Sequence, residues 1–308
     1  MLSIILLGYN SGDRINIAFK RLNQLMTENR IDYELIIVDD GSIDDTFARA
    51  SELAKLHEGT IKAIKLSKNF TSHYAIFAGL SKAEGKCITV IPDDEQQPYE
   101  TILKMYELWE KGHKVILPYR FSRGDLFLQR LFSRSFYSIM NKMSDVSFPK
   151  FGIDTFFIDK SVAHILATKI RPIATTTITE ILRLGFNPEF IGYDRPIGLN
   201  KGKSRWTLKK KLNLARDTFY SSSSFPIKLI NRLGLATFLL SFVLSIFYLA
   251  NKLVGYVELP SGWSTIVILL SFFSGLILLS LGIIANYIHL IYVEVKNRPG
   301  FIIEDYIK

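Results

Sequence analysis

The sequence has few of the side chains that form disulfides or zinc sites. Its 308 residues include one cysteine, Cys87, and five histidines, which stand at positions 57, 73, 113, 164 and 289. A single cysteine excludes an internal disulfide and fits a reducing compartment. The histidines lack the close spacing of zinc ligands, so a zinc site is not expected.

Two common nucleotide-binding motifs are also missing. The turn after the first predicted strand contains neither the GxxxxGK[ST] of P-loop ATPases nor the GxGxxG of Rossmann dehydrogenases. Neither class is therefore supported. The opening residues, MLSIILLG, have no basic segment and are too short for the apolar core of a cleaved signal peptide, so we expect none.

Charge is nearly absent from two long apolar stretches near the C-terminus. Residues 233–256 contain one charge, Lys252, and residues 264–293 contain none. Each stretch exceeds the roughly 20 apolar residues that span a bilayer. A buried helical hairpin in a soluble core is the alternative, but such helices usually carry a polar stripe. The sequence predicts two transmembrane helices, at about 233–256 and 266–291.

The net charge of +9 is concentrated beside these stretches. Segment 201–232 carries nine lysines and arginines against one acid, Asp217, whereas the loop between the spans carries only Glu258. By the positive-inside rule, we expect the N-terminal domain and both termini to lie in the cytoplasm, in a multi-pass protein of the inner membrane. Nucleic acid also attracts basic segments, but a position beside a membrane span favours anionic lipid headgroups, so no nucleic-acid partner is expected.

Residues 1–200 alternate apolar strands with amphipathic helices. Near-continuous apolar strands in this order predict a doubly wound α/β domain with a mainly parallel sheet. The predicted strands are 3–7, 33–40, 61–67, 86–92 and 114–119, and the predicted helices are 15–29, 44–58, 74–83 and 101–111. The predicted parts of the chain are a cytoplasmic domain (1–200), a basic interface segment with amphipathic helices (201–232), a transmembrane hairpin (233–295) and a cytoplasmic tail (296–308).

Three predicted strands end in polar residues: GYN at 8–10, DDGS at 39–42 and PDDEQQ at 92–97. Because such sheets bind ligands at the carboxyl ends of their strands, the three turns are expected to share one crevice. Carboxylates gathered there repel one another unless a cation is bound, and Mg²⁺ or Mn²⁺ with a nucleoside diphosphate fits them. The simpler alternative is a set of solvated turns after buried strands.

These motifs, in this order and spacing, resemble the inverting glycosyltransferases of family 2. The resemblance rests on GYN, YELIIVDDGSIDDT, KLSKNFTSHYAIFAGLSKAEG, PDDEQQP, GIDTFFIDK and the two apolar stretches, and it covers nearly the whole chain. More narrowly, the chain resembles the polyprenyl-phosphate branch of this family, which includes dolichol-phosphate mannose synthases and bactoprenol glucosyltransferases. The resemblance implies a GT-A fold and transfer of a sugar from a nucleotide sugar to a lipid phosphate.

The resemblance also implies a nucleotide-binding pocket. The residues that correspond to it are Gly8, Tyr9, Asn10, Asp39, Asp40, Lys68, Asn69 and Asp93. Lys68 and Asn69 stand where the family has Arg-Asn. A lysine can still reach the diphosphate, but as a point charge and not as a bidentate fork; an exposed lysine without a role is the alternative.

The family's metal motif reads DADLQDP, and the matching stretch here is PDDEQQP. The alignment puts Asp94 and Gln96 on metal-binding positions, with Asp94 also the central catalytic carboxylate. Pro92 stands where the family has its first Asp. Either Asp93 takes over that contact or a water replaces it, which Mg²⁺ tolerates.

On the acceptor side, the resemblance implies that Arg120 and Arg130 bind the lipid phosphate, because guanidinium donates to phosphate in a planar fork. Arg123 and Arg134 are equally compatible with an amphipathic helix resting on the bilayer. Asp154 corresponds to an acid that positions the acceptor. A phosphate monoester is already mostly a dianion at neutral pH, whereas a sugar hydroxyl would require Asp154 as general base.

Three functions remain open from the sequence. The first is transfer of a sugar to polyprenyl (undecaprenyl) phosphate, and the second is transfer to a lipid-linked glycan in surface polysaccharide assembly. The third is a catalytically silent membrane scaffold, which Pro92 and Lys68 motivate. Small residues in the second span, Gly275 and Gly282, permit the close helix packing of a homo-oligomer.

Overall fold

The structure is a computed structural model of the chain. It describes residues 1–94, 97–120, 153, 155–172, 175–194, 230, 232–236, 239, 243, 263–296 and 298–308. These residues fall into two compact units. The first unit holds the described residues up to 194 together with 298–308, and the second holds those between 230 and 296.

The first unit begins with four pairs of a strand and a helix. Each strand is a short apolar run, and each helix that follows buries one face. In chain order these elements are β1 (Leu2–Gly8), α1 (Gly12–Glu28), β2 (Tyr33–Asp39), α2 (Thr46–Leu56), β3 (Ile61–Leu66), α3 (Ser72–Leu80), β4 (Cys87–Pro92) and α4 (Glu100–Glu110). The predicted strands and helices of this region are confirmed, with bounds that differ by at most a few residues.

The remaining elements complete the first unit and form the second. They are β5 (Val115–Arg120), β6 (Phe157–Asp159), α5 (Lys160–Lys169), α6 (Thr177–Arg183), β7 (Glu189–Tyr193), α7 (Trp263–Val295) and β8 (Ile303–Ile307). Helix α7 belongs to the second unit, and β8 returns to the first.

The eight described strands form one sheet in the order β7-β5-β6-β4-β1-β2-β3-β8. Strand β1 pairs in parallel with β2 and β4, β2 with β3, and β5 with β7. Strand β6 runs antiparallel to β4 and β5, and β8 runs antiparallel to β3. The mainly parallel sheet predicted from the sequence is therefore confirmed.

Apolar side chains cover both faces of this sheet. Helices α1, α2 and α4 pack on one face, and α3, α5 and α6 pack on the other. Because successive residues of a strand point to opposite faces, Ile4 of β1 belongs to the first core and Ile5 to the second. Both are fully buried, which explains why the strands read as continuous apolar runs.

The second unit contains helix α7, which has 33 residues. Among the described residues, Phe273–Val295 is the one stretch that is long and apolar enough to cross a membrane. Of the predicted first span, residues 233–236, 239 and 243 are helical, and the rest lies outside the described residues. One candidate membrane helix is thus supported, against two predicted.

Strand β8 is one of five elements that the sequence did not predict; the others are β6, α5, α6 and β7. The residues after the second span were assigned to a tail, yet β8 pairs with β3 at the sheet edge, with Ile307 opposite Ala63 and Ile303 opposite Leu66. The register shifts between Lys65 and Leu66. The C-terminal residues therefore belong to the same sheet as the first strands of the chain.

Candidate active site

The three polar turns begin side by side in the sheet. Gly8, at the end of β1, pairs with Asp39 at the end of β2, and Leu7 pairs with Pro92 at the end of β4. Beyond these pairs the backbone N–H of Asp40 donates to Gly8 O at 2.9 Å, and that of Asp93 donates to Leu7 O at 3.1 Å. The turns GYN and DDGS and the start of PDDEQQ, at Pro92 and Asp93, therefore share one mouth, as the sequence predicts.

Hydrogen bonds tie the first two turns together. The backbone N–H of Asn10 donates to Ser42 Oγ at 2.9 Å, and the backbone N–H of Ile43 donates to Asn10 Oδ1 at 3.2 Å. Asn10 has a φ of +50°, a left-handed conformation that asparagine tolerates better than most residues. Tyr9, in the same turn, keeps an exposed ring. The GYN turn is thus fixed against the DDGS turn by hydrogen bonds, and the exposed side chain of Tyr9 is accessible to a ligand.

Asp39 is fully buried but only half satisfied. Its Oδ1 accepts hydrogen bonds from the backbone N–H and the hydroxyl of Ser42, the former at 3.0 Å. Its Oδ2 has no hydrogen-bond partner within the described part of the chain. Desolvation by burial raises the pKa of this carboxyl. A buried oxygen without a donor is costly, and a ligand N–H or O–H would relieve that cost.

The opposite end of the sheet shows what a satisfied buried carboxylate looks like in this fold. Glu34 Oε2 lies 2.7 Å from Lys62 Nζ, and Glu34 Oε1 accepts from Ser3 Oγ at 2.5 Å and from the backbone N–H of Gly85 at 3.0 Å. Glu34 and Lys62 are both almost fully buried. Both oxygens of Glu34 are thus paired within the fold, whereas Oδ2 of Asp39 retains an acceptor for a ligand.

Asp40 holds the loop that follows β3. Its Oδ1 accepts from the backbone N–H of Phe70 at 2.7 Å and its Oδ2 from that of Thr71 at 2.9 Å. Burial raises the pKa of Asp40 to about 6. The next residue, Gly41, has a φ of +67°, and a Cβ there would lie 2.2 Å from the backbone carbon of Lys68. The DDGS turn and the loop 67–71, which carries Lys68 and Asn69, are therefore in direct backbone contact.

Asp93 is held by the start of helix α1. Its Oδ2 lies 3.2 Å from Arg14 Nη2 and accepts a hydrogen bond from Ser11 Oγ. Arg14 Nη2 also donates to Asn10 O at 3.3 Å. Asp93 is buried and Asp94 is half-buried. The sequence predicted the place of Asp93 but did not anticipate its cationic partner.

The metal-binding prediction rests partly on residues outside the described ranges. Gln96, one of the predicted ligands, is not described, and neither is the adjacent Glu95. Within the described residues, no group of three or more His, Cys, Asp or Glu side chains is arranged to hold a metal ion. The roles of Asp94, Gln96 and Asp93 toward a metal therefore stay predictions.

Of the predicted acceptor-side residues, the structure describes one, Arg120, at the carboxyl end of β5. Arg120 is the last residue of β5 and pairs with Tyr193 of β7 through the backbone. Arg130 and Asp154 lie outside the described residues, but both neighbours of Asp154 are described. Ile153 forms a β-bridge with Tyr119, and Thr155 Oγ1 donates to Gln97 Oε1 at 2.5 Å. The chain on both sides of position 154 thus reaches the end of β5 and the PDDEQQP loop.

Several polar residues of the mouth were given no role in the sequence analysis, although Ser42 and Gln97 lie in turns that it singled out. Ser11, Arg14, Ser42, Gln97 and Thr155 all contact predicted site residues or the loops that carry them. Their signal in the sequence is weak, because single serines and threonines are common in turns. Gln97 gives a clearer sign, since it directly follows the predicted ligand Gln96 and is 4% exposed, with its Nε2 unpaired among the described residues.

Comparison with known proteins identifies the family. Residues 3–166 match the family described as Glycosyl transferase family 2. The chain is 32% identical to the uncharacterized glycosyltransferase YkcC of Bacillus subtilis, over 98% of this chain and 93% of that protein. It is 27% identical to the SfII prophage-derived bactoprenol glucosyl transferase of Shigella flexneri, over 98% and 97% of the two chains. It is 25% identical to the undecaprenyl-phosphate 4-deoxy-4-formamido-L-arabinose transferase of Proteus mirabilis, over 98% and 92%.

The match covers more than half of the chain, and it includes the three turns that form the mouth. The relatives are also matched over nearly their whole length, including the apolar C-terminal part. The chain, which has a mixed α/β sheet, therefore belongs to glycosyl transferase family 2.

Proposed function

We propose that the protein is a membrane-bound inverting glycosyltransferase that moves a sugar from a nucleotide sugar to polyprenyl phosphate, on the cytoplasmic leaflet. The observation that carries the proposal is the mouth itself, in which three neighbouring strands end together, two of them in acids, and buried Asp39 keeps an oxygen without a hydrogen-bond partner among the described residues. Relatives named as bactoprenol and undecaprenyl-phosphate sugar transferases support the choice of acceptor.

In this proposal the nucleotide occupies the mouth between the GYN and DDGS turns. Asp39 Oδ2 accepts a hydrogen bond from the nucleobase or ribose, since it is the buried acceptor without a partner in the described part of the mouth. The exposed ring of Tyr9 offers a stacking surface. Lys68 and Asn69 sit on the loop that Asp40 holds, within reach of the diphosphate.

The side chains at the end of β4 fit a hard divalent cation. Asp94 supplies a carboxylate oxygen and Gln96 an amide oxygen, and Mg²⁺ commonly binds one or two protein oxygens together with phosphate and water. Asp93 fits a metal less well, because its carboxylate already pairs with Arg14. When bound, Mg²⁺ or Mn²⁺ neutralises charge on the diphosphate leaving group.

The proposed reaction is a single in-line displacement. A phosphate oxygen of the lipid attacks the anomeric carbon, the bond from that carbon to the diphosphate breaks, and the nucleoside diphosphate leaves with its electron pair. The configuration at the anomeric carbon inverts. Because the attacking phosphate is mostly a dianion at neutral pH, no proton has to be removed. Arg120 and Arg130 bind the lipid phosphate, and Asp154 orients it.

The position of β8 supports a hairpin in the membrane. Before the apolar part of the chain, the described residues of the first unit end at 194, and the chain pairs with β3 again at 303–307. If the chain crosses the bilayer in between, it must do so an even number of times, because both ends join one sheet. Since Phe273–Val295 supplies one crossing, a second span falls between residues 194 and 263. The apolar stretch 233–256 is the candidate, and the basic segment before it favours the cytoplasmic side.

The test is transfer of labelled sugar by the purified full-length protein. UDP, GDP and dTDP sugars are offered in turn with undecaprenyl phosphate and Mg²⁺ or Mn²⁺, and label in the lipid extract is counted. We expect transfer from one of these donors, and we expect Asp94→Ala to lower the rate by about 100-fold or more. Asp13→Ala is the matched control, because this carboxylate is 92% exposed and should leave the rate unchanged.

The remaining outcomes separate the alternatives. If label appears only on an added lipid-linked saccharide, the acceptor is a lipid-linked glycan and not polyprenyl phosphate. The function would then be assembly of a surface polysaccharide. A protein that binds no nucleotide with either metal, and transfers no sugar, would overturn the proposal and leave a scaffold role.

A further inference from the structure

The loop 67–71, which links β3 to α3 and carries Lys68 and Asn69, is held from two sides. The inner side is the DDGS turn, where Asp40 accepts two backbone N–H groups and Gly41 contacts the backbone of Lys68. Thr71, at the end of the loop, has a φ of +86°. A non-glycine residue in this region is strained and stays there only if its surroundings hold it.

The outer side of the loop is held by the residues that follow the membrane helix. The backbone N–H of Ser67 donates to Ile302 O at 3.0 Å, which extends the pairing of β8 with β3 into the start of the loop. The register of that pairing shifts at Lys65 and Leu66, directly before the loop. Such bulges redirect a strand end and are common beside active sites.

A second contact lies just after the loop, at Tyr74 in the first turn of α3. A Cβ at Gly300 would lie 2.9 Å from the ring of Tyr74 and 3.0 Å from the ring of Pro172. The backbone of the C-terminal segment therefore packs closely on α3 just after the loop ends. Phe301 and Ile303 pack on the same apolar core as Phe70 of the loop.

The C-terminal segment also places charge near the mouth. Glu304 Oε2 lies 2.9 Å from Lys65 Nζ, and Lys65 in turn lowers the pKa of Asp39, although burial of Asp39 outweighs this effect. The segment thus contacts the loop at Ser67, packs on α3 just after the loop and shares an apolar core with Phe70 of the loop. It also pairs with a lysine that acts on Asp39.

We infer that residues 298–308 are a positioning element of the donor site. They hold loop 67–71 in the conformation that binds the nucleotide sugar. The inference rests on the proposed function, because it assigns the donor to this mouth. Helix α7 ends at Val295, and the chain reaches Gly300 five residues later. Donor binding is therefore tied to the part of the chain that emerges from the membrane.

The test measures nucleotide affinity of the full-length protein in detergent with Mg²⁺ or Mn²⁺. Gly300→Val puts a branched side chain against Tyr74 and Pro172 and should weaken binding of the donor nucleotide about tenfold, while the rate at saturating donor stays within about twofold. Combining it with Tyr74→Ala, which opens the space, should recover most of the affinity. Asp13→Ala is the control, because this carboxylate is 92% exposed and pairs with Arg49, and it should leave the nucleotide affinity unchanged.

A chain ending at residue 297 provides the stronger version of the same test. It should lose donor binding, and a synthetic peptide of residues 298–308 should restore it by adding back the edge strand. If the shortened chain does not fold, the Gly300 variants decide. Equal nucleotide affinity in Gly300→Val and the unchanged protein would overturn the inference, whereas a full-length protein that binds no nucleotide would overturn the proposed function instead.

Discussion

Asp93 has two candidate roles, and a pair of substitutions separates them. Its carboxylate pairs with Arg14 Nη2 at 3.2 Å and accepts from Ser11, so we expect it to orient Arg14 toward the donor and not to bind the metal. Asp93→Asn and Arg14→Gln should each raise the donor KM about tenfold, since a hydrogen bond to a charged group contributes roughly 1.5–3 kcal/mol. The double variant should be no worse than the poorer single one.

The metal dependence of the same variants provides the check. The Mn²⁺ concentration for half-maximal activity should be unchanged in Asp93→Asn and should rise steeply in Asp94→Asn. A large rise in Asp93→Asn with no change in Arg14→Gln would mean that Asp93 ligates the metal after all.

At the scale of single residues, most of the acids of the mouth could be predicted from the sequence. Their hydrogen-bond and ion-pair partners could not. Asp39, Asp40 and Asp93 could be predicted, because each follows a continuous apolar strand. Arg14 could not, because its contact with Asp93 depends on how helix α1 starts after the GYN turn. The same limit applies to Asp40, whose sequence position does not reveal that it binds the backbone of loop 67–71.

At the scale of the elements, loop 67–71 should make donor binding dependent on pH. Burial raises the pKa of Asp40 to about 6, so the carboxylate that accepts from Phe70 and Thr71 is ionised at pH 7 and becomes protonated as the pH falls through 6. A protonated carboxyl loses one acceptor, and the loop loosens. Donor affinity should therefore rise with pH across this window, measured by nucleotide titration between pH 5 and 8.

Asp40→Asn is the control for this titration. Its amide has no charge to lose, so donor affinity should be weaker and nearly independent of pH. An equally steep pH profile in Asp40→Asn would assign the titration to another group.

Strands and helices differed in how well the sequence predicted them. β1 to β5 and α1 to α4 were predictable, because buried parallel strands read as apolar runs and the helices between them are amphipathic. β8 was not, since IEDYI has two adjacent acids and follows an apolar helix. Its strand conformation comes from pairing with the free edge of β3, a long-range contact that local pattern does not encode.

For the whole molecule, the return of the chain to β3 predicts the membrane topology. Asp13→Cys and Lys308→Cys should react with a membrane-impermeant maleimide only after cells are opened, whereas Ser261→Cys, between the two apolar stretches, should react in intact cells. The native Cys87 is fully buried, and burial raises its pKa to about 12, so the unchanged protein should stay unlabelled and serve as the control. Positions 13 and 308 labelling from opposite sides would contradict the pairing of β8 with β3.

The same pairing sets the order in which the protein can mature. Domains generally fold from the N-terminus while the ribosome is still adding residues, but the edge strand β8 is synthesised after all the other strands of this sheet. Until then β3 keeps an open edge, which is a template for pairing with other chains. β8 can pair with β3 only after the apolar segments have left the ribosome. A chain that stalls before membrane insertion therefore keeps the edge of β3 unpaired, and loop 67–71 lacks its contacts with residues 298–308.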